Sequence, residues 1–245
     1  MQHLWSINIL TKGSILSGKI ITCLVGPTEI PVTVHATALG RFLKTQSVEE
    51  FDNTIHIPDV DETTFTHCCS FAYTGDYSVA PEPVPGNRVD SPKERLFDRN
   101  NLSCNLFHPQ LLPHFHALLQ RYMDTRPAFQ PSSMKPADDY TEVFLCHARI
   151  YRYAFRSDCA ALCVLSLNYL SKVLEGLVLC PSHIKDLVRL LRFVFEESEF
   201  MDNLQHVLCD YMVWNVETLM QDSVFLAFLD QCPDLEGLIF RRMWP

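Results

Sequence analysis

The chain has 245 residues, enough for one large domain or two small ones around a substantial core. Hydrophobic residues make up 47% and charged residues 20%, a globular balance rather than a disordered one. The formal charge is −9, from 20 basic and 29 acidic side chains, and residues 93–95 and Arg241-Arg242 are isolated basic spots. A chain gripping phosphates needs a denser basic surface, so direct nucleic-acid binding is disfavoured.

Residues 1–10 carry Leu4, Trp5, Ile7 and Ile9 but no positive leader, and are not expected to act as a signal peptide. The most apolar internal run, 159–167, is about half of the ~20 residues that span a bilayer, so no transmembrane helix is expected. Gly is scarce at 8 while Phe reaches 16, which favours helices over tight-turn β architecture.

Residues 1–18 form a lead-in, and 19–76 read as mixed β and α. Residues 20–25 are a β-rich run ended by Gly26-Pro27, and 30–34 follow as its hairpin partner, with Pro31 near the start where a missing ladder donor is tolerable. Residues 55–57 alternate as a short third strand stopped by Pro58. Asp61 is placed to cap a helix carrying Phe65, Cys68, Cys69 and Ala72 on one stripe, and Gly75 to end it in the left-handed conformation. Phe71 and Tyr73 are expected core aromatics.

Residues 77–137 change composition: nine of the chain's fifteen prolines lie there, marking a variable insertion. Within it Leu111, Phe115, Leu118, Leu119 and Tyr122 keep helical spacing. Asn101-Leu102-Ser103 matches a glycosylation sequon and is read as coincidence.

From 138 onward the pattern is helical. Val143, His147, Ile150 and Ala154 share one stripe, and 161–174 form a largely buried second helix. Ile184, Leu187, Val188, Leu191 and Phe195 form a third helix, started by Pro181-Ser182. Leu204, Val207, Leu208 and Tyr211 begin a fourth. Residues 224–229 and 235–243 close the chain, the last opened by Pro233-Asp234. No internal repeat is present, and the whole reads as an α+β fold with a helical C-terminal extension.

The ten cysteines are scattered, without a CxxC pair or a matched His pair, so no metal site is expected. Cys68, Cys69, Cys146, Cys163 and Cys209 fall on apolar helix faces, as free thiols do in a reducing compartment, cytosol or nucleus. Cys146-His147 and His67 beside Cys68-Cys69 place thiols next to imidazoles. Neighbours on a helix point about 100° apart, however, and a catalytic dyad needs side chains that converge. His114 and His116 fall on different sides of their helix. With no GxSxG, phosphate-binding Gly loop or HExxH, neither catalysis nor a cofactor is expected. Asp59 and Asp61 flank a helix start, where the macrodipole favours carboxylates; capping is the better reading than acid/base chemistry. His35 opens the first helix, where its ring is expected to bond nearby backbone or cap.

Four strings stand in order: LVGPTEIPVTVHA (24–36), IHIPDVDETTF (55–65), FAYTGDY (71–77) and DYTEVFLCHARIYRYA (139–154). Together they resemble BTB/POZ domain proteins of fungi, over residues 18–76 and 138–243. The resemblance implies a small mixed sheet packed on a helical cluster and a protein–protein interaction function. The role it implies is a substrate adaptor carrying an unknown target to a cullin ubiquitin ligase. A self-associating nuclear or cytoplasmic scaffold without a ligase role is the alternative. It further implies a partner-binding surface at Asp59, Val60 and Asp61 and at the start of the later helix, Tyr140, Val143 and Phe144. The chain departs from the family between His35 and Ile55, which is shorter and reads GRFLKTQSVEEF, with Phe42 and Phe51 as candidate packing residues. Gly18-Lys19 replaces an Asp, and residues 154–159 read AFRSDC. The first two changes fall where the family builds its symmetric dimer, so a monomer is expected.

Overall fold

The computed structural model describes residues 18–43, 53–79, 82–83, 138–196 and 201–243. The 111–122 helix, the 101–103 sequon, His114, His116 and Phe51 lie outside them. The chain divides into two compact units, one of residues 1–78 with 153–162 and one of 79–152 with 163–245.

In the first unit β1 (Ile20–Val25) and β2 (Ile30–His35) pair antiparallel, and β3 (Thr54–Ile57) joins β1 in parallel, giving the order β2-β1-β3. The hairpin turn uses Gly26 at φ +72° and Glu29 at φ +52°, with Glu29 N–H donating to the Gly26 carbonyl at 3.1 Å. The positive φ is what favours glycine at 26; a Cβ there would only come into ordinary contact, 3.4 Å, with the Val60 carbonyl oxygen. Period-two alternation puts Ile21, Cys23 and Val25 of β1 on the buried face, with Val34 and Ile57 from its neighbours.

Helix α1 (Ala36–Leu39) is one turn, and α2 (Glu62–Thr74) follows β3. Asp61 caps α2 as its position suggests: one carboxylate oxygen accepts from Thr64 N–H at 2.9 Å and the other from the Thr64 hydroxyl at 2.7 Å. The helix buries Phe65, Cys68, Cys69, Phe71 and Ala72 and ends at Gly75, φ +78°, whose N–H reaches the Phe71 carbonyl. Tyr73 departs from expectation. It is only half-buried. Phe42 does supply packing after α1: it is 1% exposed and meets the Phe65 ring edge-on at 5.8 Å and the Tyr153 ring at 6.2 Å. Burying each such ring stabilises by roughly 2–3 kcal/mol.

In the second unit β4 (Glu82–Pro83) and β5 (Asp138–Asp139) form a two-residue antiparallel ladder. Seven helices follow among the described residues: α3 (Thr141–Arg156), α4 (Ala160–Gly176), α5 (Pro181–Phe195), α6 (Asp202–Trp214), α7 (Val216–Leu219), α8 (Ser223–Leu229) and α9 (Pro233–Met243). The division between units falls within α3 and again within α4. Pro181 occupies the first turn of α5, where its missing donor costs nothing. Asp222 caps α8 by accepting from Val224 and Phe225 N–H at 2.8 and 3.1 Å.

Helix α9 packs on α6, and α8 on α5. Arg242 of α9 bonds Asp210 of α6 at 2.5 Å, and Arg192 of α5 lies over the Phe228 ring of α8 while bonding Gln231 at 2.8 Å. The α7 turn is not among the expected elements; four residues are too few to show a helical period. No described helix is long and apolar enough to cross a membrane.

Candidate interaction site

The six residues implied as partner-binding fall three in each unit. In the first, Pro58 ends β3, Asp59 projects into solvent, Val60 turns inward at 7% exposure, and Asp61 is accessible but has both oxygens committed to the α2 cap. Glu62 and Thr63, in the first turn of α2, are exposed beside them.

In the second unit Tyr140, Val143 and Phe144 are 2%, 3% and 0% exposed. The Tyr140 ring stacks at a tilt on Phe144, 5.9 Å away, and stands edge-on to His183 at 5.2 Å. Val60, Tyr140, Val143 and Phe144 are therefore buried side chains that expose little or nothing to a partner. They are apolar side chains at positions where the backbone turns into the core, and burial outcompetes display. The exposed side chains around them include the carboxylates Asp59 and Glu62 in one unit, and Asp139 and Glu142 in the other.

Only part of what fixes the start of α3 is local in sequence. Asp186, on α5 and 6% exposed, accepts from the Thr141 hydroxyl at 2.6 Å and from Tyr140 N–H at 3.3 Å. Arg189 donates to the Thr141 hydroxyl oxygen at 2.8 Å and lies 3.7 Å from Asp186. A carboxylate 45 residues downstream thus takes one backbone donor at the α3 N-terminus, Tyr140 N–H, and the Thr141 hydroxyl, while the local Asp139 carboxylate accepts from Thr141 N–H at 2.8 Å. The one signal for it is an acidic residue set among the apolar positions Ile184, Leu187 and Val188.

His35 occupies the cap position of α1, as expected, but its ring makes no cap bond; Nδ1 lies 2.8 Å from the Tyr73 hydroxyl.

The thiol–imidazole neighbours are packed rather than poised. Cys146 and His147 are 7% and 3% exposed, with His147 against the Tyr169 ring at 6.0 Å. Burial lowers the His67 pKa although Asp61 pulls it the other way. Burial pushes the Cys69 thiol up to about 12, with Cys23 adding to the rise, and pushes Cys23 itself to about 11. Cys209 is raised to about 11, again chiefly by burial. No disulfide joins any of the nine described cysteines, and no group of three or more His, Cys, Asp or Glu converges as a metal site among the described residues.

A thiol with a folded pKa above its ordinary 9.0 loses its contribution to stability as the unfolded thiolate forms. Stability should hold below pH 9 and fall between 9 and about 12, the window set by Cys23 and Cys69. Thermal melts across that range test the fall, and Cys69→Ala should flatten it. Native alkylation should reach the half-exposed Cys180 and Cys232 before Cys23, Cys69 or Cys209.

Comparison with protein-family models, with curated proteins and with solved structures returned no match.

Proposed function

We propose that this chain is a protein-interaction module of BTB/POZ type, acting as an adaptor that brings a target protein to a cullin ubiquitin ligase in the cytosol or nucleus. The observation carrying the reading is the order of the four sequence strings together with the elements they form. A hairpin leads to a one-turn helix, a strand parallel to the first, an Asp61-capped helix ended at Gly75, and a later helix opening at Thr141. Fixed elements with packed thiols suit a docking surface better than a nucleophile.

Burial moves the contact from the apolar residues to the exposed carboxylates beside them. Capture of a purified cullin by the immobilised chain is the expected result. Asp59→Arg or Glu142→Arg should weaken it roughly tenfold, the loss of ~1.4 kcal/mol, without changing the melting temperature. No capture by the unaltered chain would remove the ligase role.

A second reading, a scaffold that associates with itself, is favoured by the C-terminal helices. Among the described residues, six of the eight large exposed apolar side chains fall between 214 and 240: Trp214, Met220, Val224, Leu226, Leu238 and Phe240. Light scattering across a dilution series separates the readings, since a scaffold dissociates on dilution and a monomeric adaptor does not change.

A further inference from the structure

We infer that the outer edge of β2 is closed to strand addition by two residues, Pro31 and Tyr73. The inference is independent of the adaptor reading. Strand β2 lies at one side of its sheet, and no described strand pairs with its second edge. Such an edge presents a row of outward N–H and C=O groups that can template another chain.

The register decides which groups point outward. Ala36 N–H donates to the Lys19 carbonyl at 2.8 Å, continuing the ladder in which Ile21 faces Val34, Cys23 faces Val32 and Val25 faces Ile30. Antiparallel pairs alternate between bonded and non-bonded, so these are the bonded pairs. The pairs between them, Leu24 with Pro31, Thr22 with Thr33 and Ile20 with His35, are non-bonded. Pro31, Thr33 and His35 therefore turn their backbone groups to the outer edge.

An unguarded edge of this phase would offer three N–H donors, one from each of those positions. Pro31 has none to offer. The His35 N–H is taken by the Tyr73 hydroxyl at 2.9 Å. That hydroxyl is held in place, because it also meets His35 Nδ1 at 2.8 Å and its ring stands edge-on to the imidazole, 5.8 Å away at 85°. Thr33 keeps the one outward donor left on the strand, so beside the three outward carbonyls only Thr33 can complete the reciprocal pair of bonds that an incoming antiparallel strand needs. The half-exposure of Tyr73, odd for a core aromatic, follows from this duty: its ring covers the end of an edge. A partner or second copy that engages this chain must then use another surface.

The test uses the full chain. In Tyr73→Phe, which keeps the ring and deletes the hydroxyl, the His35 amide should exchange roughly five- to tenfold faster, the worth of one hydrogen bond. Pro31→Val with Tyr73→Phe restores all three outward donors. That double variant should associate at concentrations where the unaltered chain shows no change in light scattering. Adding Thr33→Pro removes the middle donor of the three and should weaken that association, which separates strand addition from aggregation of an unfolded chain. Unchanged His35 exchange in Tyr73→Phe, a double variant that scatters like the unaltered chain, or association that Thr33→Pro leaves unweakened would each overturn the inference.

Discussion

Phe144→Asp should leave no cooperative unfolding transition and little soluble protein. The side chain is fully enclosed and touches the Tyr140 ring. Truncating a ring at such a site costs roughly 3–5 kcal/mol in lost packing alone. A carboxylate in its place must either stay charged in an apolar setting or be protonated against its ordinary titration, which adds several kcal/mol more. The sum is comparable to the whole stability of a typical domain, roughly 5–15 kcal/mol. Asp59→Arg is the contrast: at an exposed site it should change stability by no more than about 0.5 kcal/mol. Denaturant melts of the two variants make the comparison. A Phe144→Asp chain that melts like the unaltered one would return this residue to the surface and reopen direct contact through it.

Asp186→Ala is expected to have the next largest effect. It strips the acceptor from the buried Thr141 hydroxyl and from Tyr140 N–H, and leaves Arg189 facing only the hydroxyl oxygen. An unsatisfied buried donor costs about 1–3 kcal/mol, and losing a cap costs about 1. The ion pair adds little, because Arg189 is 58% exposed and solvent screens it. The expected loss is therefore roughly 2–4 kcal/mol, from the hydrogen bonds rather than the charge. Thr141→Val in the same chain should recover part of it, with a coupling of about 1 kcal/mol, since the two groups then disappear together. Additive costs would mean that Asp186 stabilises something other than the start of α3.

Local signals are legible in the amino-acid sequence itself. The Asp61 cap, the Gly75 terminus, the Pro181 start and the β1–β2 turn at Gly26 are each decided within four or five residues by backbone sterics or side-chain reach. Four features of the fold and site are not legible, and all depend on distant residues. The parallel pairing of β3 with β1, the Asp186 bond to Thr141, and the Tyr73 hydroxyl on His35 join positions 32 or more residues apart. The burial of Val60, Tyr140, Val143 and Phe144 is the fourth. A resemblance can mark a segment as belonging to a surface, but which of its side chains point outward is set by packing. An apolar residue inside a charged string such as Asp59-Val60-Asp61 is the one warning the sequence carries.

The first unit takes its last ten residues, 153–162, from beyond a 74-residue excursion, 79 to 152. Those residues are not incidental to it: Tyr153 packs on Phe42, and the Cys159 thiol reaches the Arg41 carbonyl at 3.4 Å. At synthesis rates of about 5–20 residues per second, the nascent sheet waits roughly 4–15 s for the piece that completes its core. Throughout that interval Phe42 and Phe65 have each other but not Tyr153. A chaperone that binds apolar segments therefore has a defined time in which to act, and synonymous codons that slow translation between 79 and 152 lengthen it.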